Sequence, residues 1–327
     1  MVLLRLFKNN RTGGIVLLVL LAILTSLISL IHPQPPLEWQ GMPLYDLIFG
    51  ELYRFPRLSV SISILFHLLI ALVLIRLNTR FSLIEERTYM PALFYLIIST
   101  VFPSTHTVNP LQIGGLFYLL SFIQILNAHE DRPDTYRVFN AFLLFFLGTL
   151  FYAKLIWFLP VLWLVLFTVR PATFRELMYS IVAACFTGVS LFVYYWVFRD
   201  AGWMFPELLR NQLQFTGSWE VMPVSNYVFI AYIFLLVIIA SISILKRYQV
   251  KKIIIRNIYR VLLYMFLFSF VFYFLLSRYE QATIIFTAIP LSFLLANYFH
   301  QKRYRVIREI LIWALLGLAV LVQMATL

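Results

Sequence analysis

Residues 142–170 read FLLFFLGTLFYAKLIWFLPVLWLVLFTVR, with Lys154 near the middle and Arg170 at the end as the only charges. As one helix this stretch would measure about 43 Å, against a hydrocarbon core of about 30 Å. It is therefore either one overlong kinked helix or two spans, 138–153 and 155–169, that turn at Lys154. The choice fixes the direction of every segment that follows, because one extra crossing exchanges the two sides of the membrane.

Composition makes a bilayer the relevant solvent. The chain has 327 residues, 62% of them hydrophobic and 12% charged, and a mean hydropathy of +0.89. That is more apolar surface than one soluble core of this length could hide. Besides the two segments at Lys154, apolar runs of near-spanning length occupy 15–31, 59–77, 90–102, 111–126, 177–198, 227–245, 261–276, 282–298 and 309–325. The expected fold is thus an all-α polytopic helix bundle of about eleven membrane helices, forming one transmembrane domain over 1–327. The first run follows Arg5, Lys8 and Arg11 without a small-residue cleavage site and reads as a signal anchor.

Charge selects the split. With eleven spans and a cytoplasmic N-terminus, 20 of the 26 basic residues fall inside, and the 14 acids divide evenly. Merging the two segments would export KRYQVKKIIIRNIYR, residues 246–260, against the positive-inside bias. The formal charge of +12 is then a topology signal and implies no nucleic-acid partner. The basic cytoplasmic loops face anionic lipid. The resulting expectation is a bacterial inner-membrane protein with its C-terminus in the periplasm.

Six cations remain outside: Arg54, Arg57, Lys154, Arg199, Arg210 and Arg278. Two outer loops, 32–58 and 199–226, have room for chemistry. Pro43 followed by Leu44, Leu47, Ile48 and Leu52, and Pro206 among Phe205, Leu208, Leu209 and Leu213, predict a short amphipathic helix in each. Trp39, Tyr45, Tyr53, Trp203 and Trp219 fit an interfacial aromatic belt. Opposite the first apolar stripe stands Asp46, with Glu51, Arg54 and Arg57 after it. A carboxylate beside cations at a membrane surface suits deprotonation of an acceptor while a lipid phosphate is gripped; it also suits an ordinary ion-paired loop. His106, in the PSTHTVNP connection between the third and fourth segments, joins Lys154, Arg199, Arg210 and Arg278 as a candidate headgroup contact.

Other chemistries lack their residues. The histidines 32, 67, 106, 129 and 300 share no helical ligand spacing, and the single Cys185 excludes an intrachain disulfide and a multi-cysteine metal site. No phosphate loop, dinucleotide fingerprint or GxSxG elbow occurs. No cofactor is expected, and dependence on a divalent metal is left open. His67, inside the second segment, is either a packing residue or a proton relay. The absence of acids from the span cores weakens a transporter reading.

The layout resembles the GT-C superfamily of integral membrane glycosyltransferases, which take a sugar from a polyprenyl phosphate on the outer side of the membrane. The resemblance covers roughly residues 1–200. It rests on the first outer loop with PLYDLIFGE, on FPSTHTVNPLQIGGLFYLLSFIQILN, and on the stretch 142–170 punctuated by Gly148, Lys154 and Pro160. It implies Asp46 as the catalytic base, with Glu38 and Glu51 as rivals, and Arg54, Arg57, Lys154 and Arg210 as phosphate contacts. The chain departs from that pattern in having no adjacent pair of acids in the first loop and no soluble domain after the last span. Its texture is also similar to multispanning inner-membrane proteins of the Bacteroidetes. Two other classes stay open: a non-catalytic subunit of an envelope or secretion assembly, docking a membrane-protein partner through the outer loops, and a lipid or solute transporter.

Overall fold

The computed structural model describes residues 11–32, 42–84, 88–128, 135–170, 173–198, 210–214, 223–246, 252–276, 281–301 and 305–325. Among these every regular element is helical. In chain order they are α1 (Arg11–Thr25), α2 (Leu27–Ile31), α3 (Pro43–Phe49), α4 (Pro56–Phe81), α5 (Met90–Ser99), α6 (Pro110–Asn127), α7 (Thr135–Thr149), α8 (Leu159–Val169), α9 (Phe174–Phe198), α10 (Val224–Lys246), α11 (Ile253–Val271), α12 (Ile284–His300) and α13 (Arg305–Ala325). Each of the eleven apolar runs coincides with helix. Among the described residues seven helices are long and apolar enough to cross a bilayer: Pro56–Phe81, Pro110–Asn127, Phe174–Val197, Val224–Lys246, Ile253–Phe274, Gln281–His300 and Val306–Ala325. The shorter apolar helices are Gly13–Thr25, Met90–Ser99, Tyr136–Thr149 and Ala153–Val169. The protein is a multi-pass membrane protein.

The stretch 142–170 is broken where its charge stands. α7 ends at Thr149, the amides of Phe151 and Tyr152 both bond the Gly148 carbonyl at 3.1 Å, and a 3₁₀ turn over Ala153–Phe158 leads into α8 with Pro160 in its first turn. Proline is tolerated there because the first-turn amides of a helix have no intrahelical acceptor. α7 and α8 both pack on α6, a helix of 18 residues and about 27 Å, which a single extended span could not do along its whole length.

The chain forms two compact units, each discontinuous in sequence: residues 1–37, 52–109 and 218–327 in one, and 38–51 and 110–217 in the other. In the first unit α12 is the axis. The window Gln281–His300 is 94% buried, against 28% for Val306–Ala325 at its edge. All ten residues of α5 are buried, and Phe94 meets Phe299 at 4.9 Å between ring centroids. A helix apolar on every side is stable only when enclosed, and these two are enclosed by protein. α4 stops at Ser82, which takes a left-handed φ of 48°; Asn78 Oδ1 accepts the Ile84 amide at 3.1 Å and Tyr259 Oη donates to the Leu83 carbonyl at 3.0 Å. Arg308, in the first turn of α13, is 2% exposed, with its guanidinium 5.1 Å from the Tyr298 ring centroid.

The second unit is built on the α6–α7 pair. A Cβ on Gly148 would lie 2.9 Å from Phe117 Cβ and 2.8 Å from Leu155 Cδ2, so the hydrogen side chain is what lets the helices approach. Phe117 stacks on Phe151, and Tyr118 meets Phe158 edge-on at 5.3 Å. At the C-terminus of α6, Arg137 Nη1 donates to the Asn127 carbonyl at 2.8 Å and Arg170 Nη1 to the Ala128 carbonyl at 2.9 Å. Cations at this end satisfy orphan carbonyls and oppose the helix dipole. Arg170 also pairs with Glu176, both nearly buried. The exposed positions of α9 are largely apolar, with Phe186, Val189, Trp196 and Val197 each about three-fifths exposed.

α5 packs chiefly on α12 and α4, and α6 on α7. The PSTHTVNP connection belongs with the first unit up to Asn109, and it is packed in protein: Thr105, His106, Val108 and Asn109 are all buried.

Candidate functional site

In the second unit, three of the expected site elements share one small apolar cluster. Met42, at the start of α3, packs with Ala153 and Leu191, and Leu150, Tyr195 and Leu213 close around them. Asp46 lies one helical turn after Met42, Lys154 is next to Ala153, and Arg210 is one turn before Leu213. Local geometry explains why α3 forms. Pro43 sits in the first turn, the Met42 carbonyl accepts the Tyr45 and Asp46 amides at 2.9 and 3.1 Å, and an acid in the first turn favours the helix dipole.

The two faces of α3 divide as the apolar spacing requires, with one difference. Leu47 and Ile48 are 64% and 55% exposed, in keeping with a helix lying on the membrane. Asp46 is exposed on the other side. Tyr45, expected in the aromatic belt, is instead 8% exposed, tucked against protein, because Met42 and Tyr45 rather than the leucine stripe form the packed edge of α3. Burial, and then the negative charge of Asp46, push the Tyr45 phenol above its ordinary pKa, so it stays a neutral donor.

Lys154 is half-buried at the start of its 3₁₀ turn, and Arg210 is exposed. Glu51 and Arg54 are exposed in the 3₁₀ turn Gly50–Arg54 that follows α3, and Arg57 is exposed at the first turn of α4. Arg54 and Arg57 belong to the first unit's part of the chain. Glu38, Arg199 and Arg278 lie outside the described residues, as do Trp39, Trp203 and Trp219.

His106 is not presented to a headgroup. It is 3% exposed, and both ring nitrogens are engaged within the first unit: Nε2 donates to the Thr100 carbonyl at 2.8 Å, so Nδ1 is the acceptor of the Ser29 hydroxyl at 2.7 Å. Burial lowers its pKa, opposed in part by the bond to Thr100. His67, 1% exposed on α4, repeats the arrangement. Its Nε2 donates to the Thr105 carbonyl at 3.1 Å, and Nδ1 stands 3.3 Å from the hydroxyls of both Tyr95 and Ser99. Each imidazole is thereby assigned as the neutral Nε2–H tautomer, since a carbonyl can only accept.

This polar seam went largely unnoticed in the sequence. Ser59 and Ser63 each bind the connection, through the Val108 amide at 3.0 Å and the Thr105 carbonyl at 2.9 Å, and Gln323 Nε2 reaches the Thr100 carbonyl at 2.8 Å. Ser59, Ser63 and His67 recur every fourth residue on one apolar span, a spacing that marks one helix face and could have revealed the seam. Ser29 and Gln323 carry no such signal. No group of three or more His, Cys, Asp or Glu able to hold a metal occurs among the described residues.

The family of unknown function DUF6427 covers residues 47–326, most of the chain, and the protein belongs to it. No curated protein and no solved structure matches.

Proposed function

We propose that this member of the DUF6427 family is a GT-C-like glycosyltransferase that uses a polyprenyl-phosphate-linked sugar at the outer face of a bacterial inner membrane. What supports this reading is the cluster of Met42, Ala153, Leu191 and Leu213, which draws together the chain segments that bear Asp46, Lys154 and Arg210. In the proposed step Asp46 takes the proton of an acceptor hydroxyl, whose oxygen forms a bond to the sugar anomeric carbon. The bond from that carbon to the phosphate oxygen breaks, and polyprenyl phosphate leaves with its charge held by Lys154 and Arg210. Glu51, in the turn that follows α3, is the rival base in this scheme. The topology that goes with it has eleven crossings, a cytoplasmic N-terminus and a periplasmic C-terminus, the arrangement that keeps 20 of 26 cations inside.

The test is turnover in proteoliposomes supplied with polyprenyl-phosphate sugars and candidate acceptors, read as release of polyprenyl phosphate. Asp46→Asn, which keeps size and removes the base, should lower the rate about a hundredfold or more while leaving expression and thermal stability unchanged. Equal turnover by the variant overturns the assignment. A stoichiometric membrane partner recovered in mild detergent, with no turnover by the wild type, points to the non-catalytic subunit.

A further inference from the structure

We propose that Ser29 and His106 are a nucleophile and its base, a second active site that acts on an acyl ester carried by a membrane lipid. Ser29 belongs to α2 and His106 to the connection between α5 and α6, 77 residues later, yet the Ser29 hydroxyl lies 2.7 Å from His106 Nδ1. Nε2 of the same ring donates to the Thr100 carbonyl at 2.8 Å, which leaves Nδ1 as the nitrogen that accepts the serine proton. Gln323 Nε2 holds that carbonyl in turn, also at 2.8 Å. A hydroxyl on an imidazole that a third group orients is the arrangement that activates serine nucleophiles, here with a backbone carbonyl in the orienting place.

Two features set this pair apart from the bonds that only close the seam. Hydroxyls on apolar helices ordinarily turn back to a carbonyl of their own helix, as Ser61, Ser190 and Ser292 do on Arg57, Phe186 and Ile289. Ser29 offers its proton to the imidazole of a distant segment instead. The second feature is access. His67 also has hydroxyls beside its Nδ1, but those of Tyr95 and Ser99 stand at 3.3 Å on residues that are wholly enclosed, so no substrate reaches them. Ser29 is half-buried in a helix, LISLI, that has no buried residue. The nucleophile thus stands at a surface while its base is enclosed, at 3% exposure. On α2 the serine has only leucine and isoleucine beside it, so the ester this surface admits is one carried on a hydrocarbon chain.

In the proposed step Ser29 Oγ attacks the ester carbonyl carbon as its proton passes to His106 Nδ1, and the Nε2–H bond to Thr100 steadies the imidazolium that results. The carbon–oxygen bond to the lipid alcohol then breaks, and the alcohol leaves with the proton from Nδ1. Water attacks the acyl-Ser29 carbonyl and gives a proton to Nδ1; the acid is released, and Ser29 recovers its hydroxyl with that proton. Atoms and charges balance over the cycle, with water as the co-reactant. Ser29 and His106 both belong to the first unit's part of the chain, and the pair does not depend on the reading of Asp46.

A dodecyl fluorophosphonate tests the pair, because it reports an activated serine: the serine oxygen bonds phosphorus and fluoride leaves. The full-length protein in lipid nanodiscs, treated with the probe near neutral pH and mapped by peptide mass spectrometry, should carry the adduct on Ser29. His106→Gln keeps an amide donor for the Thr100 carbonyl and an oxygen to accept the Ser29 hydroxyl, but it is no base, so the labelling rate should fall about a hundredfold or more. If that variant does not fold, the wild type decides: the adduct should form in the folded protein and be lost when heat denaturation precedes the probe. No adduct on Ser29 in the folded wild type, or equal rates in the wild type and a folded His106→Gln, overturns the proposal. p-Nitrophenyl laurate should be hydrolysed by the wild type and not by Ser29→Ala; no difference between the two overturns the acyl-ester assignment.

Discussion

Replacing Gly148 by alanine tests the packing on which the second unit rests. The new methyl would stand 2.9 Å from Phe117 Cβ, an atom fixed to the α6 backbone, and 2.8 Å from Leu155 Cδ2, whose side chain is fully buried. Leu155 can yield by a rotamer change only into filled space, and Phe117 yields only if α6 moves. Overpacking of this kind costs about 1–3 kcal/mol. Against it stands the greater helix propensity of alanine, about 1 kcal/mol in a helix interior and less at the penultimate residue of α7. The net expectation is a loss of about 1–2 kcal/mol, or a fall of about 2–6 °C in apparent Tm. Gly188 in α9 and Gly317 in α13 have nothing within 4 Å of the same added atom, so Gly188→Ala and Gly317→Ala should gain up to about 1 kcal/mol. Thermal unfolding of the three variants in one detergent reads the sign directly. Stabilisation by Gly148→Ala comparable to that of Gly188→Ala would refute the close α6–α7 approach.

Glu176→Gln leaves Arg170 buried without its countercharge and should cost about 3 kcal/mol, measured by thermal unfolding; a change under about 0.5 kcal/mol would mean the pair is hydrated in solution. Ser63→Ala removes a donor to Thr105 and should cost about 1 kcal/mol, whereas Ser61→Ala, whose hydroxyl bonds the Arg57 carbonyl on an exposed face, should be near neutral; equal effects would contradict the seam. Cys185, exposed in the middle of an apolar helix, should resist a charged maleimide in intact membranes and react after denaturation in detergent. Labelling in intact membranes would remove that face of α9 from the lipid.

Hydropathy was enough to locate every apolar helix, because a continuous run of leucine, isoleucine, valine and phenylalanine marks a membrane segment whatever packs on it. The break at Lys154 was legible for a different reason: the positive-inside bias favoured two segments there over one long helix. Partition into two units was not legible, since lipid-facing and protein-facing surfaces are equally apolar and hydropathy cannot tell α12 from α9. Arg137 and Arg170 were read only as positive-inside residues, although their role in capping α6 depends on where Asn127 and Ala128 end up in space. The same holds for His106. Its position between two spans suggested exposure, and only the approach of Ser29, 77 residues earlier, shows that the ring is enclosed. Within the candidate site, the amphipathic spacing of α3 anticipated the exposure of Leu47, Ile48 and Asp46 and missed Tyr45 as the packed edge.

Binding of the leaving group probes the proposed site without waiting for an acceptor to be identified. Native mass spectrometry of the protein released from nanodiscs containing undecaprenyl phosphate should show one retained molecule. Lys154→Gln combined with Arg210→Gln should lower its occupancy at least tenfold, with retention of neutral lipid unchanged. Equal occupancy in the wild type and the double variant would mean that these cations do not meet a lipid phosphate, and the account of the Asp46 site would fail.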